Sequence, residues 1–203
     1  SFQGDIPKRG QLFSALYWLD EGTLIGAGSD AIYWWDVTTG QLLERLARPE
    51  EAAFFVDVSF SEGGNRLAGV AQDQNVYVWE REVGSWAIWP AQPDVSLSHV
   101  AFSSDGRLLA AVAYSGTLWL WDVDNQELLA SYSVTAGDIA AVRFSPDGRY
   151  LATRSRDGRA RIWKVEGGAL VHSLEGHTDA VWEVALTPDG KREIGRASCR
   201  ERV

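Results

Sequence analysis

The sequence predicts an all-β protein built from repeated four-stranded antiparallel sheets, and three observations support this prediction. Glycines recur every 42 residues, at Gly22, Gly64, Gly106, Gly148 and Gly190. A tight-turn motif surrounds most of these glycines, and a short alternating segment that ends in tryptophan follows each turn except the last. A period in the low forties is typical of a β-propeller blade, which cannot bury its apolar faces without a neighbour on each side.

The turn motif is clearest in the third and fourth copies, where residues 102–106 read FSSDG and residues 144–148 read FSPDG. Aspartate in this position bonds to nearby backbone, proline fixes φ, and glycine tolerates positive φ. Each copy therefore predicts a hairpin connection between two strands.

The segments after each turn are short, rich in β-branched and aromatic residues, and separated by Gly, Asp and Asn. Such segments indicate antiparallel strands rather than helices, with about four strands in each copy. The third strand of each of the first four copies ends in a landmark tryptophan, at Trp35, Trp79, Trp121 and Trp163.

These motifs resemble the WD-repeat family of β-propellers. Trp35-Asp36 and Trp121-Asp122 match its signature dipeptide, and Gly176-His177 matches its Gly-His element. The resemblance covers residues 12–192 and implies four repeats plus the start of a fifth. Because propellers close with about 4–8 blades, we expect an incomplete, open arc. The predicted blades lie near 12–37, 41–80, 85–123, 126–165 and 169–192, the last one partial.

Within the family, a blade is often braced by hydrogen bonds that run from the Gly-His histidine through a turn aspartate and a strand hydroxyl to the tryptophan indole. The resemblance implies only parts of this network, because no copy supplies all four groups. The structural candidates are Asp157 with Trp163 and either Thr153 or Ser155, Asp73 with Trp79, His177, and the landmark residues Trp35 and Trp121.

The two ends of the chain interrupt the repeat. Residues 1–11 are interpreted as the end of a preceding connection. Residues 193–203 read EIGRASCRERV where an apolar strand is due. This run resembles the in-frame translation of a sequencing adapter, so we interpret it as a non-native tail; the alternative is a natural basic arm that binds nucleic acid.

Composition disfavours several classes of function. The formal net charge of −9 and the sequence pI of about 4.8 disfavour binding to a phosphate backbone. The one cysteine, Cys199, lies in the tail, so neither a disulfide framework nor a cysteine zinc site is predicted. No run approaches the roughly 20 apolar residues of a membrane helix. We expect a cytoplasmic protein that binds neither nucleic acid nor membranes.

Catalysis is not predicted. His99, His172 and His177 fall at different repeat phases, no pair has the spacing of a metal site, and no motif indicates a cofactor. The competing class is an enzyme whose channel carries the site. It would use Asp57, His99 and Glu183 on the innermost strands, but each lies on a different blade, so convergence on one metal is not expected.

The sequence therefore predicts a non-catalytic scaffold that binds a protein or peptide through the loops of one face. Loops carried on a rigid scaffold are where binding residues concentrate. The candidate partner-binding residues are Trp182, Arg159, Ser98, Val56 and Asp138. The neat turn motifs resemble those of bacterial multidomain WD proteins with signalling or regulatory roles; besides the channel enzyme, a purely structural spacer is the other alternative.

Overall fold

The computed structural model describes residues 13–28, 30–50, 52–90, 95–133, 138–174, 181–186 and 193–197; for residues 13, 14, 181–186 and 193–197 it describes the backbone alone. Within these ranges the chain forms eighteen strands and two short 3₁₀ turns. The strands assemble into four four-stranded sheets and one two-stranded sheet, and consecutive strands pair antiparallel throughout. We refer to these sheets as blades 1 to 5.

Every blade runs in chain order from an inner strand outwards. Blade 1 contains β1 (Phe13–Trp18), β2 (Thr23–Gly28), β3 (Ala31–Asp36) and β4 (Leu42–Ala47). Blade 2 contains β5 (Phe55–Phe60), β6 (Arg66–Ala71), β7 (Asn75–Glu80) and β8 (Ser85–Pro90). Blade 3 contains β9 (Leu97–Phe102), β10 (Leu108–Ala113), β11 (Thr117–Asp122) and β12 (Glu127–Ser133). Blade 4 contains β13 (Ile139–Phe144), β14 (Tyr150–Ser155), β15 (Ala160–Lys164) and β16 (Leu170–Leu174), and blade 5 contains β17 (Val181–Leu186) and β18 (Glu193–Ala197).

The inner strands contact one another in the order β1, β5, β9, β13, β17, which arranges the blades as an arc of radial sheets. The prediction of an all-β propeller with four-stranded antiparallel blades is therefore confirmed. The four landmark tryptophans occupy equivalent places: the Trp35, Trp79, Trp121 and Trp163 positions each pair with a leucine on the second strand of their blade.

The apolar cores lie between neighbouring blades, because the middle strands are apolar on both faces. In β11, Leu118 and Leu120 pack towards blade 4, whereas Trp119 and Trp121 pack towards blade 2. All four side chains are at most 5 % exposed. Successive residues of a strand point to opposite faces, so a single strand contributes to two interfaces.

The repeated turn closes through its own side chains. Ser103 Oγ donates to Asp105 Oδ1 at 2.6 Å and accepts the backbone N–H of Leu108 at 3.0 Å. Gly106 has φ +70°, a left-handed conformation that favours glycine. The equivalent bonds form around Ser145 in blade 4. The hydrogen bond from the serine lowers the pKa of the turn aspartates in both blades.

Side chains of one inner strand bond to the backbone of the next. Asp57 Oδ2 accepts the N–H of Val100 at 3.0 Å, and Ser59 Oγ accepts the N–H of Phe102 at 3.1 Å. The inner strands of neighbouring blades are therefore linked by side chain to backbone bonds, although they belong to different sheets.

The predicted sequence units are offset from the sheets by one strand. Units such as 41–80 and 85–123 begin with an outer strand, whereas the sheets begin with an inner strand. Glu193–Ala197, in the predicted non-native tail, is the second strand of blade 5 and pairs with Val181–Leu186. The interpretation of residues 193–203 stays a prediction, as do the other predicted boundaries.

Candidate functional site

The loops lie on two faces of the arc. The lower face carries the turns that join first to second strands and third to fourth strands. The upper face carries the turns between second and third strands and the connections from each outer strand to the next inner strand. On the upper face, turn and connection are joined by backbone bonds: Gln72 N–H donates to Phe54 O at 3.1 Å, and Tyr114 N–H donates to Ser96 O at 3.1 Å.

The same upper-face bond forms in blade 4, where Arg156 N–H donates to Asp138 O at 3.0 Å. These bonds define two sets of equivalent positions, 42 residues apart, whose side chains differ in charge, polarity and size. The connection positions are Phe54, Ser96 and Asp138, and the turn positions are Gln72, Tyr114 and Arg156. The first-to-second-strand turns of blades 3 and 4 on the lower face, by contrast, repeat the same Ser, Asp and Gly.

Two arginines lie over exposed aromatic rings on the upper face. The guanidinium carbon of Arg48 lies 5.0 Å from the centre of the Phe54 ring, and that of Arg156 lies 5.1 Å from the centre of the Tyr114 ring. Phe54 is 54 % exposed. Arg156 also approaches the Asp138 carboxylate at 3.6 Å, an exposed ion pair that solvent screens.

The predicted partner-binding residues differ in exposure. Asp138 is half-buried, and Arg159 is exposed in the β14–β15 turn. Val56 is half-buried and packs against the core between blades 2 and 3. Ser98 is buried; its hydroxyl lies 2.8 Å from the carbonyl oxygen of Ile139 and therefore links blade 3 to blade 4.

Two of the predicted residues lack a described side chain. Trp182 has its backbone in β17, and its side chain lies outside the described part of the structure. His177 lies outside the described residues entirely. Their predicted roles in partner binding and in bracing a blade stay predictions.

The bracing network of blade 4 forms in part. The Trp163 indole N–H donates to Thr153 Oγ1 at 2.8 Å. Arg161 donates through Nη2 to Asp157 Oδ2 at 2.6 Å and through Nη1 to Ser155 Oγ at 3.1 Å. The turn aspartate is thus joined to its strand by an arginine.

In blade 2, Tyr77 occupies the position that Arg161 occupies in blade 4, two residues before the landmark tryptophan. Tyr77 Oη donates to Asp73 Oδ2 at 2.8 Å, and the backbone N–H of Ala53 donates to the same oxygen at 2.8 Å. The Trp79 indole nitrogen is buried and has no hydrogen-bond partner among the described residues. Asp73 therefore joins the turn to the incoming connection and does not reach the tryptophan.

Sequence reasoning did not single out these residues, although a signal was present. Tyr33, which donates to Asp30 Oδ2 at 2.8 Å, Tyr77 and Arg161 each lie two positions before the landmark tryptophan of their blade. A donor at this phase, with an aspartate three or four residues earlier, identifies the pair.

The two remaining landmark tryptophans make ring contacts with neighbouring aromatic side chains. Trp35 is half-buried and stacks on Tyr33 with ring centres 5.6 Å apart. Its neighbour Trp34 is 2 % exposed and faces blade 2. Trp121 is buried, with its ring centre 6.0 Å from that of Trp89. The described contacts of Trp35 and Trp121 are therefore packing contacts.

A second candidate site lies on the inner surface of the arc. A cavity of about 610 Å³ lies against the inner strands of blades 1 to 4 and is lined by Asp57, Ser59, Tyr17 and Arg143, among others. Tyr17, Ser59 and Arg143 share one repeat phase, and the fourth member of this layer is Ala101. Small side chains in two neighbouring blades leave space between the tyrosine and the arginine.

Three side chains lie in contact along this wall. Asp57 Oδ2 lies 3.4 Å from His99 Nδ1, and His99 Nε2 lies 3.1 Å from Arg143 Nη1. Burial raises the pKa of Asp57 to about 6, against the opposing effects of the Val100 N–H and the Arg143 charge. Burial and the nearby arginines lower the pKa of His99 to about 3, so its ring is neutral at pH 7. Arg143 Nη1 also lies 3.5 Å from Nδ1 of the same ring, so the guanidinium contacts both ring nitrogens.

Asp57 and His99 are two of the three residues that a channel enzyme would use, and the structure brings them together. The Glu183 side chain lies outside the described residues. Within the described ranges, no group of three or more His, Cys, Asp or Glu residues is placed to hold a metal ion.

Comparison with known proteins agrees with the fold. A family model described as WD domain, G-beta repeat matches residues 89–122, 126–164 and 168–200. A search of curated proteins finds no match. The described part of the chain contains no helix whose length and apolar character would suit a membrane crossing. Because the matched segments cover more than half of the chain and follow one another as successive repeats, the chain belongs to the WD40 repeat family, whose domains serve in general as protein-interaction scaffolds.

Proposed function

We propose that the upper face binds a peptide segment of a partner protein, and that the chain acts as a non-catalytic scaffold in a bacterial signalling or regulatory protein of the cytoplasm. The observation that carries the proposal is the difference between the two faces. Upper-face positions with the same backbone bonds carry unlike side chains, whereas the lower turns of blades 3 and 4 repeat their Ser, Asp and Gly.

This difference separates residues that the fold requires from residues that it does not. The Ser, Asp and Gly of the lower turns satisfy local backbone groups, so every copy with this turn needs them. The equivalent upper-face bond in each of these blades uses only the carbonyl oxygen of the connection residue. The side chains of Phe54, Ser96 and Asp138 therefore take no part in it. Their side chains are therefore available for recognition.

The chemistry of the upper face suits a protein partner. Aromatic residues and arginine dominate the energetics of protein interfaces, and loops on a rigid scaffold are frequent binding sites. Arg48 on Phe54 and Arg156 on Tyr114 present such pairs at the surface. Asp138 and Arg159 extend this surface, Val56 and Ser98 support the connections from below, and we retain Trp182 as a predicted contact.

The absence of catalysis is part of the proposal. A partly buried aspartate and histidine in contact resemble two members of a catalytic triad. In this chain, however, His99 Nε2 meets the Arg143 guanidinium, where a triad would place a serine or cysteine nucleophile. This arrangement supports a positioning role for the pair.

Site-specific photocrosslinking tests the upper face. We expect a photoreactive amino acid at Tyr114, on the upper face, to crosslink a partner from the cells in which the protein is produced naturally. The same group at Val83, which is 64 % exposed in a lower-face turn, serves as the matched control. Crosslinks that form equally at both positions would contradict the proposal, and the absence of crosslinks at Phe54, Tyr114 and Arg159 would favour the spacer.

A further inference from the structure

Arg143 presents a positive charge to the inner cavity. Its guanidinium is exposed and lines the cavity. Its polar contacts are with both ring nitrogens of His99, at 3.1 Å from Nε2 and 3.5 Å from Nδ1, and with the Val142 carbonyl oxygen at 3.3 Å. No carboxylate of the described residues lies within 4.0 Å of it. Neither the neutral ring nor the carbonyl cancels the charge, so the guanidinium keeps its capacity for an anion.

The partly buried pair of Asp57 and His99 behind Arg143 fixes its position. Asp57 accepts the Val100 N–H, and His99 lies between Asp57 and Arg143, so three inner strands hold the chain of side chains in place. A guanidinium held in this way loses less conformational freedom when it binds a ligand than a freely rotating one. His99 and Asp57 are therefore positioning residues.

The cavity also offers an apolar wall. Tyr17 lines the cavity and stacks on Phe60 with ring centres 5.3 Å apart. Ser59 and Ala101, which lie between Tyr17 and Arg143 in the same layer, are small. The space suits a ligand with a charged end at Arg143 and an apolar body against Tyr17.

The charge balance of the lining restricts the anion. Asp57 and Glu62 also line the cavity, so its acidic groups outnumber its single described cation. Acidic groups repel a doubly charged phosphate more strongly than a singly charged carboxylate. Guanidinium and carboxylate also match in geometry, because two parallel hydrogen bonds form between them.

We propose that the inner cavity is a binding site for a single carboxylate, held by the Arg143 guanidinium and carried on an apolar body that lies against Tyr17. The ligand is either a small free acid or a carboxylate at the end of a peptide. This site is separate from the upper face and does not depend on the partner proposed there.

The test uses the whole chain and two probes that differ only in charge, phenylacetate and phenylacetamide. Binding is followed by nuclear magnetic resonance of the His99 ring, one of three histidines in the sequence. We expect phenylacetate to produce a saturable shift and to bind about tenfold more tightly than the amide, as loss of a charge-assisted bond predicts. Equal affinity of acid and amide would overturn the proposal, and this comparison requires no variant.

Variants then locate the site. Arg143→Gln is expected to abolish the preference for the acid, whereas Arg149→Gln, in the exposed lower turn, is expected to preserve it. His99→Ala is expected to weaken acid binding and reduce the preference while amide binding changes little, a pattern that a general loss of structure would not produce. Calorimetric titration measures binding in this variant, because it lacks the His99 ring. An unchanged preference in Arg143→Gln would overturn the proposal.

Two further probes identify the source of the carboxylate and its charge. A tetrapeptide ending in Phe with a free carboxylate, compared with its C-terminal amide, tests a peptide source; tighter binding than phenylacetate would favour the peptide, and weaker binding would favour a free acid. Inorganic phosphate is expected to bind more weakly than phenylacetate. If phosphate binds more tightly, the assignment to a single carboxylate is wrong.

Discussion

The indole N–H of Trp163 donates to the hydroxyl of Thr153 at 2.8 Å inside blade 4. In blade 2 the equivalent strand position is Gly69, and the buried Trp79 indole nitrogen has no partner among the described residues. Gly69 cannot simply gain a side chain, because an added Cβ would lie 2.6 Å from the Phe55 ring. At this position blade 4 has a hydroxyl that accepts the indole N–H, whereas blade 2 has a glycine that leaves room for the Phe55 ring.

We expect Thr153→Val to lower the free energy of unfolding by about 1–3 kcal/mol, because it leaves a buried indole N–H without an acceptor. Urea unfolding measures this change. Thr23→Val is the matched control, since Thr23 is half-buried on β2 and its hydroxyl takes part in none of the described bonds. An equal loss in both variants would show that the indole bond contributes nothing.

Adjacent glycines in the turn after β15 provide a second matched pair. Gly167 and Gly168 both have positive φ, +78° and +63°, but an added Cβ at Gly167 meets open space, whereas at Gly168 it would overlap the Tyr132 ring. Gly167→Ala is expected to cost about 1–2 kcal/mol for the left-handed backbone alone. Gly168→Ala should cost more.

The Tyr132 ring accounts for the difference. In a Tyr132→Ala background, we expect the cost of Gly168→Ala to fall to that of Gly167→Ala when both are measured by urea unfolding. If the excess cost persists without the ring, the overlap is not its cause.

Asp57 gives stability a pH dependence whose sign is opposite to the usual one for a carboxylate. Its folded pKa of about 6 exceeds the ordinary value of 3.8, so the folded state binds the proton more tightly than the unfolded state. Its contribution to stability is present at low pH and is lost as pH rises from about 4 through 6. Asp57→Asn should therefore be more stable than the parent chain at pH 8, by up to about 3 kcal/mol.

His99 titrates in the opposite sense, because its folded pKa is lowered and acidification destabilises the protein. The difference between parent and variant, rather than the raw profile, therefore reports Asp57. Asp147→Asn is a control of opposite sign: the hydrogen bond from Ser145 lowers the pKa of Asp147, so its ionised form stabilises the fold above its ordinary pKa. A constant difference between the parent chain and Asp57→Asn from pH 4 to pH 8 would contradict the prediction.

Blade 1 exposes a face that is covered in the blades that follow. Leu16 is 65 % exposed, whereas the equivalent Val58 is 8 % exposed. Trp18 is 59 % exposed, whereas the equivalent Phe60 is 7 % exposed. Exposed apolar faces promote association, so we expect the chain to self-associate as its concentration rises.

Light scattering measures this association. The double variant Leu16→Ser and Trp18→Ser is expected to shift the mass towards that of the 22.4 kDa chain. Leu43→Ser and Leu129→Ser, which change leucines exposed on outer strands, are expected to have less effect. A parent chain that remains monomeric at all concentrations would contradict the prediction.

The blades can be predicted from the sequence because each repeated residue acts on groups that are close to it in the chain. The glycine with positive φ and the serine and aspartate of the lower turn act within six residues, so their spacing is visible without coordinates. The landmark tryptophans are visible for the same reason, because strand alternation fixes the face on which each one lies.

The candidate sites are less visible because they depend on approach between blades. Asp57 and His99 are 42 residues apart, and the sequence assigns them to separate blades without indicating their distance. Inner strands of neighbouring blades lie close together, which brings these side chains within 3.4 Å. The exchange of tyrosine for arginine opposite the turn aspartates is visible in the sequence only when the residues two positions before each landmark tryptophan are compared between blades.

The bonds from Asp57 and Ser59 to the next inner strand have a consequence for aggregation. A strand with unpaired N–H groups is a template for the backbone of another chain. On the inner strand β9, the N–H groups of Val100 and Phe102 already donate to side chains of the preceding blade. An intruding extended segment would therefore find its free template at the outer rim, along β4, β8, β12 or β16.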